Sequence, residues 1–230
     1  MRLYNKLINE LKGLLISSKQ LNNGNLLKTS DKNSVIFLSD TAFELGGSNK
    51  PCVSGLAVSS DVSFSNSVYL LGNDLNKIKA DSPFCKFVHI QIEDFEDEQN
   101  TFNKIKELES LRYHLSVDGF MTRASALNMR EQIRVSKKVI KSGVSFADYG
   151  HTLLNEYLKF PYVKSAEIYF VTDNCDFEKF NSVAKKISQT TSALNHIFDN
   201  VMFDCSTCNL KEICDEVDGL KELHLKNVKK

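Results

Sequence analysis

The chain has 230 residues, and 42% of them are hydrophobic, so it can bury a substantial core in one or two subdomains. Lysine and arginine together number 29, as do aspartate and glutamate, which gives a formal net charge of zero. Because this composition provides no global field to attract polyanions, we expect no nucleic acid and no membrane as a partner.

The first predicted element is an amphipathic helix at the amino terminus. Asparagine, lysine and glutamate interrupt every apolar run there, and the pattern is that of neither a signal peptide nor a membrane span. The apolar residues that recur at helical spacing are Leu3, Leu7, Ile8, Leu11, Leu14 and Leu15. Together with a turn rich in Asn and Gly at 22–25, this helix forms a predicted N-terminal unit over residues 1–30.

A main domain is predicted over residues 31–200. Strands are predicted from short apolar or alternating runs at 35–38, 42–45, 52–58, 68–71, 87–92 and 166–171. Helices are predicted from apolar stripes at 96–117, 124–141, 146–158 and 176–189, the third of them with Ser145 as its N-cap. Because most strands come first and most helices later, this order favours a layered α+β architecture, a mixed sheet with packed helices, over a regularly alternating one.

The residues with the most specific chemistry lie in a cysteine-rich segment over residues 201–230. Cys205 and Cys208 are separated by two residues, so both thiolates can reach one metal centre from a single turn. Cys214 follows after five intervening residues and His224 after nine more, and Gly219 between them can supply a bend. The spacing predicts that Cys205, Cys208, Cys214 and His224 bind one metal centre.

A [4Fe–4S] cluster is the metal centre that this irregular spacing favours. Zinc sites commonly draw their ligands as two close pairs, whereas here one pair is followed by two single ligands. Zinc is the alternative, and free reduced thiols on a helical tail are a third reading. A further alternative is that Cys52, Cys85 or Cys175 provides the fourth ligand. Cys52 and Cys85 lie in predicted strands, however, and are expected to be packed thiols. Six cysteines without an export signal indicate a reducing cytoplasm.

The remaining titratable residues give weaker signals. Gly46-Gly47 lacks the strand–turn–helix spacing of a dinucleotide-binding loop and predicts a turn. No Ser–His–Asp triad or pair of catalytic carboxylates can be argued from the sequence. Isolated histidines are predicted to be satisfied or exposed side chains, and these are His89, His114, His151 and His196.

Arginine is concentrated in one part of the chain. If residues 123–134 form one helix, Arg123, Arg130 and Arg134 project from nearly the same face. Guanidinium groups bind phosphate bidentately, so this face is a candidate site for CoA, a nucleotide or the carboxylate of a partner. The alternative is that these arginines bridge helices through neighbouring glutamate or aspartate.

Four short patches follow one another along the chain, and they read Arg-Val-Ser-Lys from Arg134, Tyr-Gly from Tyr149, Phe-Pro from Phe160 and Phe-Val-Thr-Asp from Phe170. In this order they resemble the middle region of acetyl-CoA synthase, the β subunit of the carbon monoxide dehydrogenase/acetyl-CoA synthase complex. A fifth patch, Glu-Leu-Gly-Gly-Ser-Asn-Lys-Pro from Glu44, looks like an upstream turn of the same region. The resemblance covers about residues 35–224.

The resemblance implies a site as well as a relationship. Cys205, Cys208 and Cys214 fall on three of the four cysteines that hold the family's [4Fe–4S] cube, with the last gap shorter by three residues, and His224 falls on the fourth. The family's nickel-binding Cys-Gly-Cys does not occur in this sequence. An arginine-rich stretch with a tryptophan is associated with CoA binding in the family, and Arg123 stands in place of that tryptophan.

These observations favour a cytoplasmic iron–sulfur protein related to acetyl-CoA synthase. It would act as a redox or accessory protein of one-carbon metabolism in an anaerobe, with a corrinoid or redox protein as partner. One alternative is a small or degenerate acetyl-CoA synthase subunit that transfers acyl groups to CoA. Another is an interaction module in which zinc only stabilises the fold.

Overall fold

The computed structural model describes residues 2–32, 34–47, 49–125, 129–173, 175–198 and 208–228. The helices are α1 (Asn5–Leu14), α2 (Glu98–His114), α3 (Lys137–Lys141), α4 (Phe146–Leu158), α5 (Phe177–Phe198), α6 (Lys211–Glu216) and α7 (Leu220–Val228). The strands are β1 (Lys19–Leu21), β2 (Thr29–Ser30), β3 (Thr41–Leu45), β4 (Cys52–Ser59), β5 (Ser67–Leu71), β6 (Phe84–Ile92), β7 (Ser116–Val117), β8 (Phe120–Ser125), β9 (Arg130–Ser136) and β10 (Val163–Val171). The predicted α+β class is confirmed.

The first sheet has the order β1-β5-β10-β6-β4 and mixes parallel with antiparallel pairs. Its central strands β6 and β10 are buried along nearly their whole length, as expected of strands covered on both faces. On one face, Phe170 packs against Phe146 of α4. On the other, Phe87 stacks on Phe180 of α5, so helices cover both sides of the sheet.

The second sheet is antiparallel throughout, with the order β2-β7-β8-β9-β3. Its strand β9 alternates between buried and half-buried residues, as a strand with one face on the core does. Ile133 and Val135 are buried, while Arg130, Gln132 and Arg134 occupy the outer face. The inner face meets α4, where Phe120 stacks on Tyr149 with ring centroids 4.2 Å apart.

Helix α4 begins as its sequence predicts. The Ser145 hydroxyl accepts from the Asp148 N–H, and the Asp148 carboxylate accepts from the Ser145 N–H, which completes a capping box. Gly150 in this helix lets α4 approach the first sheet, because an added Cβ would lie 2.4 Å from a methyl carbon of Val68 and 2.9 Å from the Phe170 ring. Glycine is therefore required at this contact.

The N-terminal helix forms as predicted and packs against α5 and β4. The centre of its apolar face is buried, since Leu7, Ile8 and Leu11 are each 2% exposed or less. The strand that follows, β1, pairs with β5 at the edge of the first sheet and was not predicted. In the described part of the chain, no helix is both long and apolar enough to cross a membrane.

Two predicted elements are wrong. The helix expected at 124–141 is instead the end of β8, strand β9 and the single turn α3. Arg, Glu and Gln favour helices in isolation, but pairing of β9 with both β8 and β3 overrides that preference. The strand expected at 35–38 is unpaired backbone leading into a short 3₁₀ turn, and Val35, Phe37 and Leu38 are exposed.

Candidate functional site

The cysteine-rich segment ends in two helices that pack on α5. Five apolar side chains bury this helical pair, namely Leu210, Ile213, Val217, Leu220 and Leu223. An ion pair of 2.6 Å between Lys186 of α5 and Glu216 of α6 adds a polar contact at its edge. The described end of the chain is thus a docked unit, held by about five buried apolar side chains worth roughly 1.5–3 kcal/mol each.

Two of the predicted metal ligands lie at the start of this unit. Cys208 is separated from the start of α6 by Asn209 and Leu210, Cys214 lies within α6, and both thiols are half-buried and form no disulfide. The Leu210 N–H donates to Cys208 Sγ at 3.5 Å. Hydrogen bonds to the ligating sulfurs are a feature of iron–sulfur sites. Cys205 lies outside the described residues.

His224 is half-buried on α7. The predicted bend at Gly219 is confirmed. Gly219 lies between α6 and α7, and its φ of +89° falls in the left-handed region that favours glycine. No three described His, Cys, Asp or Glu side chains are arranged to hold a metal ion. Cys208, Cys214 and His224 therefore do not form a three-ligand site by themselves, and a complete thiolate set needs Cys205.

The other cysteines take different environments. Cys52 and Cys85 are buried in β4 and β6, which confirms that they are packed thiols, and Cys175 is half-buried. Burial raises the pKa of the Cys52 and Cys85 thiols above its usual value. Both are therefore neutral at physiological pH and poorly suited to bind a metal.

The three arginines share one face, although on strands rather than on a helix. Arg130 and Arg134 lie four residues apart on β9, and Arg123 of β8 is paired in register with Gln132, which lies between them. Alternation along β9 and direct opposition across the pair place all three on the outer face of the second sheet. The predicted shared face is thus confirmed, and the predicted helix is not.

Two of these arginines are engaged by the protein itself. Arg134 binds Glu44 Oε1 through Nη2 at 2.6 Å and Nε at 2.7 Å, and its Nη1 donates to the Ile36 carbonyl. Arg130 donates from Nη2 to the Gly46 carbonyl at 3.0 Å. Arg123 is exposed. The bridging role therefore holds for Arg134, but it joins β9 to the neighbouring strand β3 and not two helices.

Sequence reasoning missed a cluster of four charges between the two sheets and α2. Lys86 of β6 forms an ion pair with Oε1 of Glu131 on β9, and the side chains are 5% and 2% exposed. Arg112 of α2 places its Nε 3.5 Å from Oε2 of Glu131, and its Nη1 lies 3.7 Å from Oε2 of Glu109. Burial lowers the pKa of Lys86 and raises that of Glu109. Two of these charges stand out in the sequence. Lys86 lies within the apolar run of β6, and Glu131 alternates with the apolar residues Ile133 and Val135 on β9.

His89 contradicts the prediction for isolated histidines. Its side chain is fully buried in β6, and neither ring nitrogen has a hydrogen-bond partner among the described residues. The ring lies against Tyr169 and Phe64, with centroid distances of 5.3 and 5.8 Å. Desolvation lowers its pKa to about 3, so the ring is neutral at physiological pH.

Comparison with known proteins returns no family whose model matches this chain and no curated protein that matches it.

Proposed function

We propose that the chain is an iron–sulfur-binding protein related to acetyl-CoA synthase, serving as a redox or accessory protein of one-carbon metabolism. The observation that carries the proposal is the placement of Cys208 and Cys214 on a helical unit docked to α5, with an N–H directed at Cys208 Sγ. Cys205 would join them as the third thiolate. A cluster held there would supply one-electron transfer.

The donor set fits such a cluster. Thiolates are soft ligands that favour iron–sulfur clusters and zinc over hard cations, and Cys208 and Cys214 are half-buried rather than enclosed in the core. Partial burial lets a cluster approach a redox partner while apolar neighbours limit its contact with water. Hydrogen bonds to the sulfurs raise the potential of a cluster by offsetting its negative charge, and the Leu210 N–H provides one.

The docked unit would hold the cluster on an ordered part of the fold. Leu210, Ile213 and Leu220 are buried, so apolar packing holds the segment that carries Cys208 and Cys214 against the rest of the molecule. A zinc module would instead use its metal to stabilise the fold of this segment. Metal analysis distinguishes the two.

The proposal excludes the family's complete reaction. The sequence contains no Cys-Gly-Cys, which the family uses to bind nickel. We therefore propose an accessory role alongside a corrinoid or redox protein, and not the assembly of acetyl-CoA. The patches that resemble acetyl-CoA synthase, which begin at Glu44 and at Arg134, support the relationship.

The test is spectroscopy of the full chain purified without oxygen. A brown protein with a broad absorption band in the 400 nm region, bleached by dithionite with the appearance of a paramagnetic signal, would support the cluster. A colourless protein that retains zinc through gel filtration would favour the interaction module instead. A colourless, metal-free protein that iron and sulfide cannot reconstitute would refute both metal sites.

A second candidate function is anion binding by the outer face of the second sheet. Arg123 is exposed there beside Gln132, and Arg130 uses one N–H on the Gly46 carbonyl. Because a guanidinium has five donors, Arg123 and Arg130 retain capacity for a phosphate. We propose CoA as the ligand class of this face, and its test is given in the Discussion.

A further inference from the structure

A polar cleft lies where α2 and α5 meet β4, the edge strand of the first sheet. Its volume is about 150 Å³. Two of its lining residues carry opposite charges, Arg112 and Glu109. Five others carry a hydroxyl or amide group, namely Ser54, Ser188, Thr191, Ser192 and Asn195. None of the residues that line the cleft belongs to the cysteine-rich segment, and the inference does not depend on the function proposed above.

Arg112 has donors to spare at this cleft. Its side chain is 7% exposed, and Nη2 donates to Ser54 Oγ. Among the described residues, Nε faces Oε2 of Glu131 at 3.5 Å without forming a hydrogen bond, and Nη1 lies 3.7 Å from Oε2 of Glu109, too far for a hydrogen bond. A guanidinium carries five N–H donors in a planar fork that matches a carboxylate. The arginine is therefore buried, charged and incompletely satisfied.

The charges around the cleft limit what can bind. Lys86 and Arg112 balance Glu109 and Glu131, so the local net charge is zero. A simple anion or cation would add an uncompensated charge to a poorly solvated site, which is unfavourable. A molecule that carries both charges preserves the balance, with its carboxylate at Arg112 and its ammonium group at Glu109.

Size narrows the ligand further. The cleft volume of about 150 Å³ is below the range of about 300–1,000 Å³ of pockets for drug-sized ligands, so the cleft suits a molecule as small as glycine, alanine or serine. We propose that the cleft binds a small zwitterionic α-amino acid, which Arg112 and Glu109 orient and which the hydroxyl groups of β4 and α5 surround.

The test is calorimetric titration of the full chain with glycine, L-serine, acetate and methylamine. We expect saturable binding of an amino acid, at least about ten-fold tighter than that of acetate or methylamine, which each offer only one of the two charges. No saturable amino-acid binding at millimolar concentration would overturn the proposal. Equal affinity for glycine and acetate would also overturn it, because Glu109 would then play no part.

Substitutions at the cleft test whether the amino acid binds there. Ser192→Leu fills the cleft and should abolish binding, whereas Ser182→Leu, at an exposed position of the same helix, should leave it unchanged. Glu109→Gln preserves shape and should weaken amino-acid binding several-fold, while acetate should bind more tightly because its charge would then balance that of Arg112. Circular dichroism verifies that each variant is folded. Unchanged amino-acid affinity in folded Ser192→Leu or in Glu109→Gln would contradict the proposal.

Discussion

Lys86 on β6 is ion-paired with Glu131 on β9, and this buried contact joins the first sheet to the second. Few other charges in the described chain are as deeply enclosed. Desolvation makes such a pair costly to form, yet removal of one partner leaves an uncompensated charge in the core. We therefore expect the pair to specify how the two sheets are placed more than it adds to net stability.

Replacement of one partner should be far more damaging than replacement of both. Glu131→Gln leaves Lys86 buried without its counter-ion and should lower the free energy of unfolding by about 3–5 kcal/mol. The double change Lys86→Met, Glu131→Gln should recover a large part of that loss. Urea denaturation of the two single variants and the double variant gives the coupling energy. Additive effects would contradict the pairing.

His89 should make the protein sensitive to mild acid. Its pKa is about 3 in the folded protein against an ordinary value of 6.5, so the unfolded chain takes up the proton first as the pH falls. Its contribution is complete above pH 6.5 and is lost between about pH 6.5 and pH 3, by at most about 1.4 kcal/mol per pH unit. Glu167 and Lys12 face the ring with opposite charges and partly offset each other.

The variant His89→Leu isolates this effect. Between pH 7 and pH 5 the unfolding free energy of the unmodified protein should fall by about 2 kcal/mol more than that of the variant. Chemical denaturation at both pH values measures the difference, and His114→Ala, at an exposed position, is the control. The same pH dependence in His89→Leu and the unmodified protein would show that His89 takes up a proton in the folded state as readily as in the unfolded chain.

We expect Arg134 to contribute to the stability of the fold, and Arg123 and Arg130 to contribute to ligand binding. Arg134→Ala removes the ion pair with Glu44 and the bond to the Ile36 carbonyl, and should cost about 1–3 kcal/mol of stability. Arg123→Ala should cost less than about 0.5 kcal/mol, since the side chain is exposed.

CoA should bind this face with an affinity that falls as salt increases. The double change Arg123→Ala, Arg130→Ala should weaken binding several-fold, while Lys164→Ala, an exposed cation on β10, should not. Calorimetry at two salt concentrations measures both effects. Absence of CoA binding at millimolar concentration would leave only the structural role of Arg134.

The fourth-ligand hypothesis for His224 stays a prediction. His224→Cys should retain the cluster and lower its potential, because an anionic ligand replaces a neutral one. His224→Ala should give a labile site that loses one iron. Potentiometry and electron paramagnetic resonance measure both, with His114→Ala as the control. An unaltered spectrum, potential and stability in His224→Ala would place the fourth ligand elsewhere.

The contrast between predicted and observed elements has physical causes. Helices with clear caps and wide apolar stripes, such as α4 with Ser145, follow from local sequence alone. Strand β9 was mistaken for a helix because Arg, Glu and Gln have high helix propensity, and its strand state depends on pairing with β8 and β3. The shared face of Arg130 and Arg134 survived this error because a spacing of four residues returns to the same face in a strand and nearly so in a helix.

The buried polar groups could not be predicted in the same way. Lys86 and Glu131 are separated by 45 residues in the chain, and their contact depends on how the two sheets pack. Nothing local marks His89 as buried among aromatic rings, because an isolated histidine in a strand pattern is compatible with either face. The cysteine spacing, in contrast, is a local feature of the sequence, and the shared metal centre that it predicts stays a prediction.

We propose that Cys205, Cys208 and Cys214 hold an iron–sulfur cluster. The most direct test is the iron, sulfide and zinc content of the anaerobically purified chain, measured beside Cys205→Ser, Cys208→Ser, Cys214→Ser and the control Cys175→Ser. We predict about four irons and four sulfides per chain in the unmodified protein and in Cys175→Ser, and loss of most of both in each of the other three variants. Iron and sulfide content that is unchanged in Cys208→Ser and Cys214→Ser, or absent from the unmodified protein after reconstitution, would contradict the claim.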